Sequence, residues 1–195
     1  MEALTIYLPP RLELKIDLTD EQFWQLCHNN GDLRFEKTAT GELIILSPTG
    51  GYTSERNADL TYQLKAWSRQ NNLGKVFDSN GCFELPNGAD RSPDASWIKM
   101  ARWDALTEEQ RNKFLPLCPD FVVELISPSD TLSKTREKME EYIENGAQLG
   151  WLINRKKRQV EIYRPNQEIE ILDNPQTVSG ENILPGFVLD LATIW

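Results

Sequence analysis

Asp120-Phe121-Val122-Val123-Glu124-Leu125-Ile126, preceded by Pro119 and closed by Ser127-Pro128-Ser129-Asp130, is a compact apolar run bounded by turn residues. A run of this length and composition is that of a strand covered on both faces, the centre of a sheet with a layer on each side. Its one discordant residue is Glu124. Side chains alternate along a strand, so Glu124 shares a face with Val122 and Ile126, while Phe121, Val123 and Leu125 point the other way. An unpaired buried charge costs several kcal/mol or more, so the carboxylate needs a partner. A structural ion pair, or a strand end open to solvent, satisfies that need as well as a functional site does.

Working outward, Thr131 to Asn145 has a helical pattern closed by Gly146 and leads into Gly150 to Ile153. That strand pairs with Val160 to Tyr163 through a turn at Asn154 to Arg158. On the N-terminal side, Asp94 to Ile98 reads as a strand after Arg91-Ser92-Pro93, with strand-like pieces at Val76 to Asp78 and Gly81 to Leu85 before it. Leu60, Leu64 and Trp67 mark the apolar stripe of a helix capped by Thr53 or Ser54, and that stripe must face a sheet. Thr19 opens an entry helix that stops at Asn30-Gly31, and Leu33 to Glu36 with Glu42 to Leu46 form a hairpin. Met100 to Leu115 reads as a surface insertion, with a capping box at Thr107-Glu108-Glu109-Gln110. Glu168 to Leu172 and Phe187 to Leu191 supply two edge strands.

The 195 residues make one domain, 1–195. With 39% hydrophobic and 26% charged residues the chain is of globular composition. No run approaches the ~18 apolar residues of a spanning helix, and Met1 to Lys15 lacks the pattern of a signal peptide. A cytoplasmic protein with no membrane association is expected. Cys27, Cys82 and Cys118 are far apart, without a CxxC pair, which fits reduced thiols. The net charge of −9 is unevenly placed: residues 1–36 hold seven acids and three bases, 166–195 hold five acids and no base, and Lys37 to Arg164 hold 18 of each. An acidic average argues against phosphate binding, whereas a neutral centre leaves room for a local basic face. No GxxxxGK[ST] or GxGxxG occurs, so no nucleotide cofactor is expected.

Asp94 stands at the start of its strand, where a Pro-Asp pair is also ordinary turn chemistry. Together Asp94 and Glu124 mean more. Two carboxylates at the same end of neighbouring strands offer hard oxygen ligands at the distance a divalent cation bridges, as Mg²⁺ sites do. The helix that follows carries Lys134 and Lys138 on one face, with Tyr142 a turn further on. As solvated residues these lysines need no explanation; functionally, Lys138 reaches over the sheet edge toward Glu124, where it would hold an attacking water and stabilise phosphorane charge. His28, the single histidine, reads as a helix C-terminal residue, and Arg155-Lys156-Lys157-Arg158 reads as a solvated turn.

These pieces in order, Ser47-Pro48-Thr49-Gly50-Gly51, Arg91-Ser92-Pro93-Asp94-Ala95-Ser96-Trp97, Pro119 to Ser129, Lys138-Met139-Glu140-Glu141-Tyr142, Asn145-Gly146-Ala147, Gly150-Trp151-Leu152-Ile153, Val160 to Arg164 and Leu184-Pro185-Gly186-Phe187, resemble the PD-(D/E)XK nuclease superfamily. The resemblance is to its Uma-type branch of restriction endonucleases and spans nearly the whole chain. It implies an α/β, restriction-endonuclease-like core, a mixed β-sheet flanked by helices. It implies Asp94 and Glu124 as metal ligands, with the Leu125 carbonyl as a further one. The superfamily's lysine two residues after the second acid is replaced by Ile126; the branch moves it to the next helix, where Lys138 matches. Lys134 stands where that branch often has an acid, and Glu55 is the nearest match to the superfamily's first-helix glutamate. The branch frequently has a His near the start of that helix, where Thr53 or Ser54 stands here.

The expected function is therefore Mg²⁺-dependent (or Mn²⁺-dependent) hydrolysis of DNA phosphodiester bonds by an endonuclease, with metal-bound water attacking phosphate and Asp94, Glu124, Lys138 and Glu55 as catalytic candidates. A homodimer is expected, since a small nuclease must cut two strands. The alternative is a nuclease fold kept as an inactive binding or assembly module.

Overall fold

The structure, a computed structural model, describes residues 11–127 and 130–195. Residues 1–10, with part of the segment searched for a signal peptide, and Pro128 and Ser129, which close the apolar run, lie outside the described residues. In chain order the elements are β1 (Arg11–Lys15), α1 (Asp20–Asn29), β2 (Arg34–Lys37), β3 (Glu42–Leu46), α2 (Gly51–Asn71), β4 (Gly74–Asp78), β5 (Phe83–Glu84), β6 (Asp90–Arg91), β7 (Ala95–Lys99), α3 (Met100–Asp104), α4 (Glu108–Arg111), β8 (Phe121–Leu125), α5 (Leu132–Glu144), β9 (Leu149–Asn154), β10 (Gln159–Tyr163), β11 (Glu170–Asp173), β12 (Thr177–Ser179) and β13 (Val188–Asp190).

The apolar run becomes β8, inside a six-stranded sheet of order β11-β10-β9-β8-β7-β4. β8 and β9 pair in parallel and the other neighbours antiparallel, so the sheet is mixed. The parallel pair requires a crossover, which α5 supplies. Alternation along β8 sorts the core. Phe121, Val123 and Leu125 pack with Leu60, Leu64 and Trp67 of α2, whereas Val122 packs with Met139 and Tyr142 of α5. The expected α/β core, a mixed sheet with helices on its faces, is the one found. Gly150 on β9 leaves room for the Met139 side chain of α5, whose Cε would stand 2.5 Å from a Cβ there.

A second sheet, β1-β3-β2-β6-β5, is antiparallel throughout and packs Phe35 and Leu43 against Phe23 of α1. Its β1 and the two-residue β6 have no counterpart in the expectations: β1 alternates Leu12 and Leu14 with charged residues, a strand signal the expectations left unused, whereas β6 is too short to show a pattern. The helix expected to be capped by Thr53 or Ser54 starts earlier. Gly50 is the N-cap, its carbonyl accepting from the N–H groups of both residues, which places Thr53 buried inside the first turn. The stretch from Met100 to Leu115 forms α3 and α4, and its end is no insertion: Leu115 is buried and bridges Phe83. Of the two expected tail strands, β11 edges the large sheet, while β13 pairs with β12 as a separate ribbon. No described helix is long and apolar enough to cross a membrane.

Candidate active site

A cleft of about 560 Å³ opens where the two sheets meet, between β2, β3, the loop Ser47 to Gly50, the C-terminal end of β8 and one side of α5. The β7–β8 ladder places Ala95 opposite Val123, and one step further along that register Asp94 stands opposite Glu124. Directly opposed residues share a face with Cβ atoms about 5 Å apart. The ladder ends there because a side chain takes over: the Leu125 N–H donates to Asp94 Oδ2 at 2.8 Å. The other Asp94 oxygen accepts from Asn57 Nδ2 of α2 at 2.9 Å. The carboxylate is thus oriented from two sides, each oxygen keeping further acceptor capacity.

Glu124 is buried in β8, and its Oε1 accepts from the Tyr142 hydroxyl at 3.2 Å and faces Lys138 Nζ at 2.8 Å. Burial raises its pKa to about 7, with the neighbouring Asp94 and Glu36 adding to the rise and Lys138 opposing it. Asp94 is raised as well, by burial first, against the pull of the Leu125 N–H, Lys138, Arg34 and Asn57. Two acids held uncomfortably close, in a cleft open to solvent, form a pair that a cation would relieve.

Lys138 is largely but not wholly buried, its side chain 15% exposed. Burial disfavours its charge, but Glu124 and Glu36 outweigh burial and keep the ammonium protonated above its ordinary range. Its second carboxylate is Glu36 of β2, at 2.7 Å and 102 residues away in sequence. Glu36 also accepts from the Ser92 N–H at 3.1 Å and faces Arg91 Nη1 at 3.3 Å. Burial alone would raise its pKa; Lys138, Arg91 and the Ser92 N–H bring it down to about 2. Arg91 in turn holds Glu141 at 2.6 Å.

The fold therefore brings Asp94, Glu124, Leu125 and Lys138 to one cleft and leaves Glu55 outside it. The Glu55 side chain is 66% exposed, and the cation near it is Arg56 at 4.0 Å. Asn57, two residues on, faces the opposite way around the helix and is the α2 residue that reaches Asp94. Lys134 lines the cleft with its ammonium on Glu13. Glu36 and Asn57 are additions that the sequence reading did not contain. Neither carries a strong signal: Glu36 looks like the polar position of a hairpin strand, and Asn57 like one polar residue of a helix. His28 stacks on Trp24, and Arg158, from the basic turn, lies over Trp195, neither of them lining the cleft.

The donor set fits a hard divalent cation that keeps waters of its own. Among the described residues no three His, Cys, Asp or Glu side chains gather as a cage. Two hard carboxylates beside an open cleft suit Mg²⁺, which keeps several waters and is held by one or two protein carboxylates and by substrate oxygens. They do not suit a closed structural site.

A family model described as "Uma2: Putative restriction endonuclease" matches residues 20–192. The crystal structure of a putative nuclease belonging to DUF820 from Anabaena variabilis ATCC 29413 is similar, with a TM-score of 0.70 and 21% identity over 82% of this chain and 88% of that one. At that identity the likeness is one of fold. No curated protein matches the chain.

Proposed function

The chain belongs to the Uma2 family, as its sequence resemblance implied, and from that membership and the geometry of the cleft we propose that it is a metal-dependent endonuclease cleaving DNA phosphodiester bonds. The observation that carries the reading is the pairing of two desolvated carboxylates, Asp94 and Glu124, with a protonated lysine on one of them. Mg²⁺, or Mn²⁺ in its place, would be held by Asp94 and Glu124, with the Leu125 carbonyl as a further ligand. When bound, such a cation lowers the pKa of water and polarises a phosphoryl oxygen. The chain's own groups do the rest. The Leu125 N–H and Asn57 fix the direction of the Asp94 oxygens, and the Tyr142 hydroxyl fixes Glu124. Lys138, whose ammonium is held charged, acts as a donor and a positive charge rather than as a proton acceptor, orienting water and stabilising the charge that develops on phosphate. Glu36 keeps that ammonium in place whatever Glu124 binds. Action on duplex DNA favours a homodimer in which each copy cuts one strand.

The test is cleavage of supercoiled and linear DNA by wild-type, Asp94→Asn and Glu124→Gln proteins in Mg²⁺, Mn²⁺ or EDTA. Cleavage that needs metal and both carboxylates is expected; cleavage preserved in Asp94→Asn refutes the assignment. A second reading, an inactive nuclease-fold module, is favoured by the cleft's charge, eight carboxylates against four cations. Calorimetry separates the two, since an inactive module need bind no Mg²⁺ through Glu124.

A further inference from the structure

Four cations line the cleft, Arg34, Arg91, Lys134 and Lys138. Three are already committed to carboxylates: Lys138 to Glu36 and Glu124, Arg91 to Glu36 and Glu141, and Lys134 to Glu13. Arg34 is different. Among the described residues it forms no ion pair, and its guanidinium makes a single hydrogen bond, from Nη2 to the Ser79 carbonyl at 2.8 Å. That bond anchors one corner of the planar fork and leaves the Nε and Nη1 donors for something else. Arg34 also lies on the correct side. It precedes Glu36 by two residues on β2, so the two side chains share a face, about 7 Å apart along the strand. Glu36 touches Lys138, and Arg34 lines the same cleft as Asp94.

A phosphate approaching this cleft meets mostly negative charge, and three of the four cations have their attraction spent on protein carboxylates. We propose that Arg34 is the substrate-binding residue of the cleft, its free donors taking the non-bridging oxygens of a nucleic-acid phosphate beside the Asp94–Glu124 pair. The inference rests on the endonuclease reading and deepens it, separating the cation that captures the phosphate, Arg34, from the one that acts on it, Lys138. A guanidinium suits the task because its fork matches two phosphate oxygens at once.

The experiment is binding of a short fluorescein-labelled DNA duplex to wild-type, Arg34→Gln and Arg34→Lys proteins, by anisotropy in Ca²⁺ at several salt concentrations, with Mg²⁺ affinity measured alongside by calorimetry. Arg34→Gln is expected to weaken DNA binding by about 10-fold or more and to flatten the dependence of log K on log salt by about one, the loss of one phosphate contact. Mg²⁺ affinity is expected to stay within about twofold, since Arg34 is no ligand. Arg34→Lys is expected to keep the salt slope and lose several-fold in affinity. Wild-type affinity and slope in Arg34→Gln overturn the inference and leave the endonuclease reading standing. A wild-type protein that binds Mg²⁺ but no DNA overturns both. Should thermal melting show Arg34→Gln unfolded, Arg34→Lys carries the test, and undiminished affinity there overturns the proposal.

Discussion

Glu124→Gln should make the metal-free protein more stable while abolishing its use of metal. The wild-type carboxyl is raised by burial to about 7 from an ordinary 4.5. Between those values the unfolded chain has released the proton and the native protein still holds it, so native stability falls as pH rises through the window. Above pH 7 the full penalty is present. At about 1.4 kcal/mol per pH decade, the difference amounts to about 3 kcal/mol. Glutamine has the shape of the protonated acid and carries no such penalty, and Lys138 retains Glu36 as its counter-ion. Urea unfolding in EDTA at pH 8 should therefore show the variant more stable by about 3 kcal/mol, a gap that shrinks toward zero near pH 4. Saturating Mg²⁺ should close it by stabilising the wild type alone. A variant less stable than wild type at pH 8 in EDTA, or a gap indifferent to pH, would mean that Glu124 is a contented ion-pair residue and that the cleft stores no electrostatic strain.

Glu36→Gln should behave oppositely. Its pKa is held down at about 2, so its contribution is complete above 4.5 and is lost as pH falls through 2; removing it strands Lys138 and Arg91, at a cost of about 3 kcal/mol at neutral pH. Denaturation at pH 7 checks this, and an unchanged midpoint contradicts it. Lys138→Met should lower the single-turnover cleavage rate by about 10²–10³ with little change in DNA affinity, as removal of one donor to developing charge does elsewhere. An equal loss in binding would move Lys138 from the chemical step to substrate capture. Asn57→Leu removes the donor to Asp94 Oδ1 and should weaken Mg²⁺ binding about 10–100-fold in a calorimetric titration. Unaltered affinity would show that the Leu125 N–H suffices to orient the carboxylate.

The strand–helix–strand unit from β8 to β9 was legible because each part has a local signature, an apolar run bounded by turn residues, then a helical period ended at Asn145-Gly146. Asp94, Glu124 and Lys138 stood out for the same reason: each sits where its own element makes it odd or well placed. Glu36 could not. On the alternating pattern of β2 it is an ordinary outward carboxylate, and what buries it is the approach of α5 from another part of the chain. Asn57 had no signal of its own. Glu55 came from the resemblance to the superfamily's first-helix glutamate, but the face of α2 that meets Asp94 carries Asn57 and leaves Glu55 in solvent. Local pattern reveals which residues are anomalous; it does not reveal which surface of another element will answer them.

The ion pair between Glu36 and Lys138, 102 residues apart, has a consequence for the life of the chain before it is finished. A nascent chain emerging from the ribosome displays Glu36, then Asp94, then Glu124, each on an element whose pairing partners are still unmade. Until α5 has been synthesised and has settled across the sheet, Glu36 and Glu124 lack their shared counter-ion. A chain cut before α5 therefore carries Glu36 and Glu124 without the ammonium that joins them, and the charge arrangement of the cleft exists only once α5 has docked.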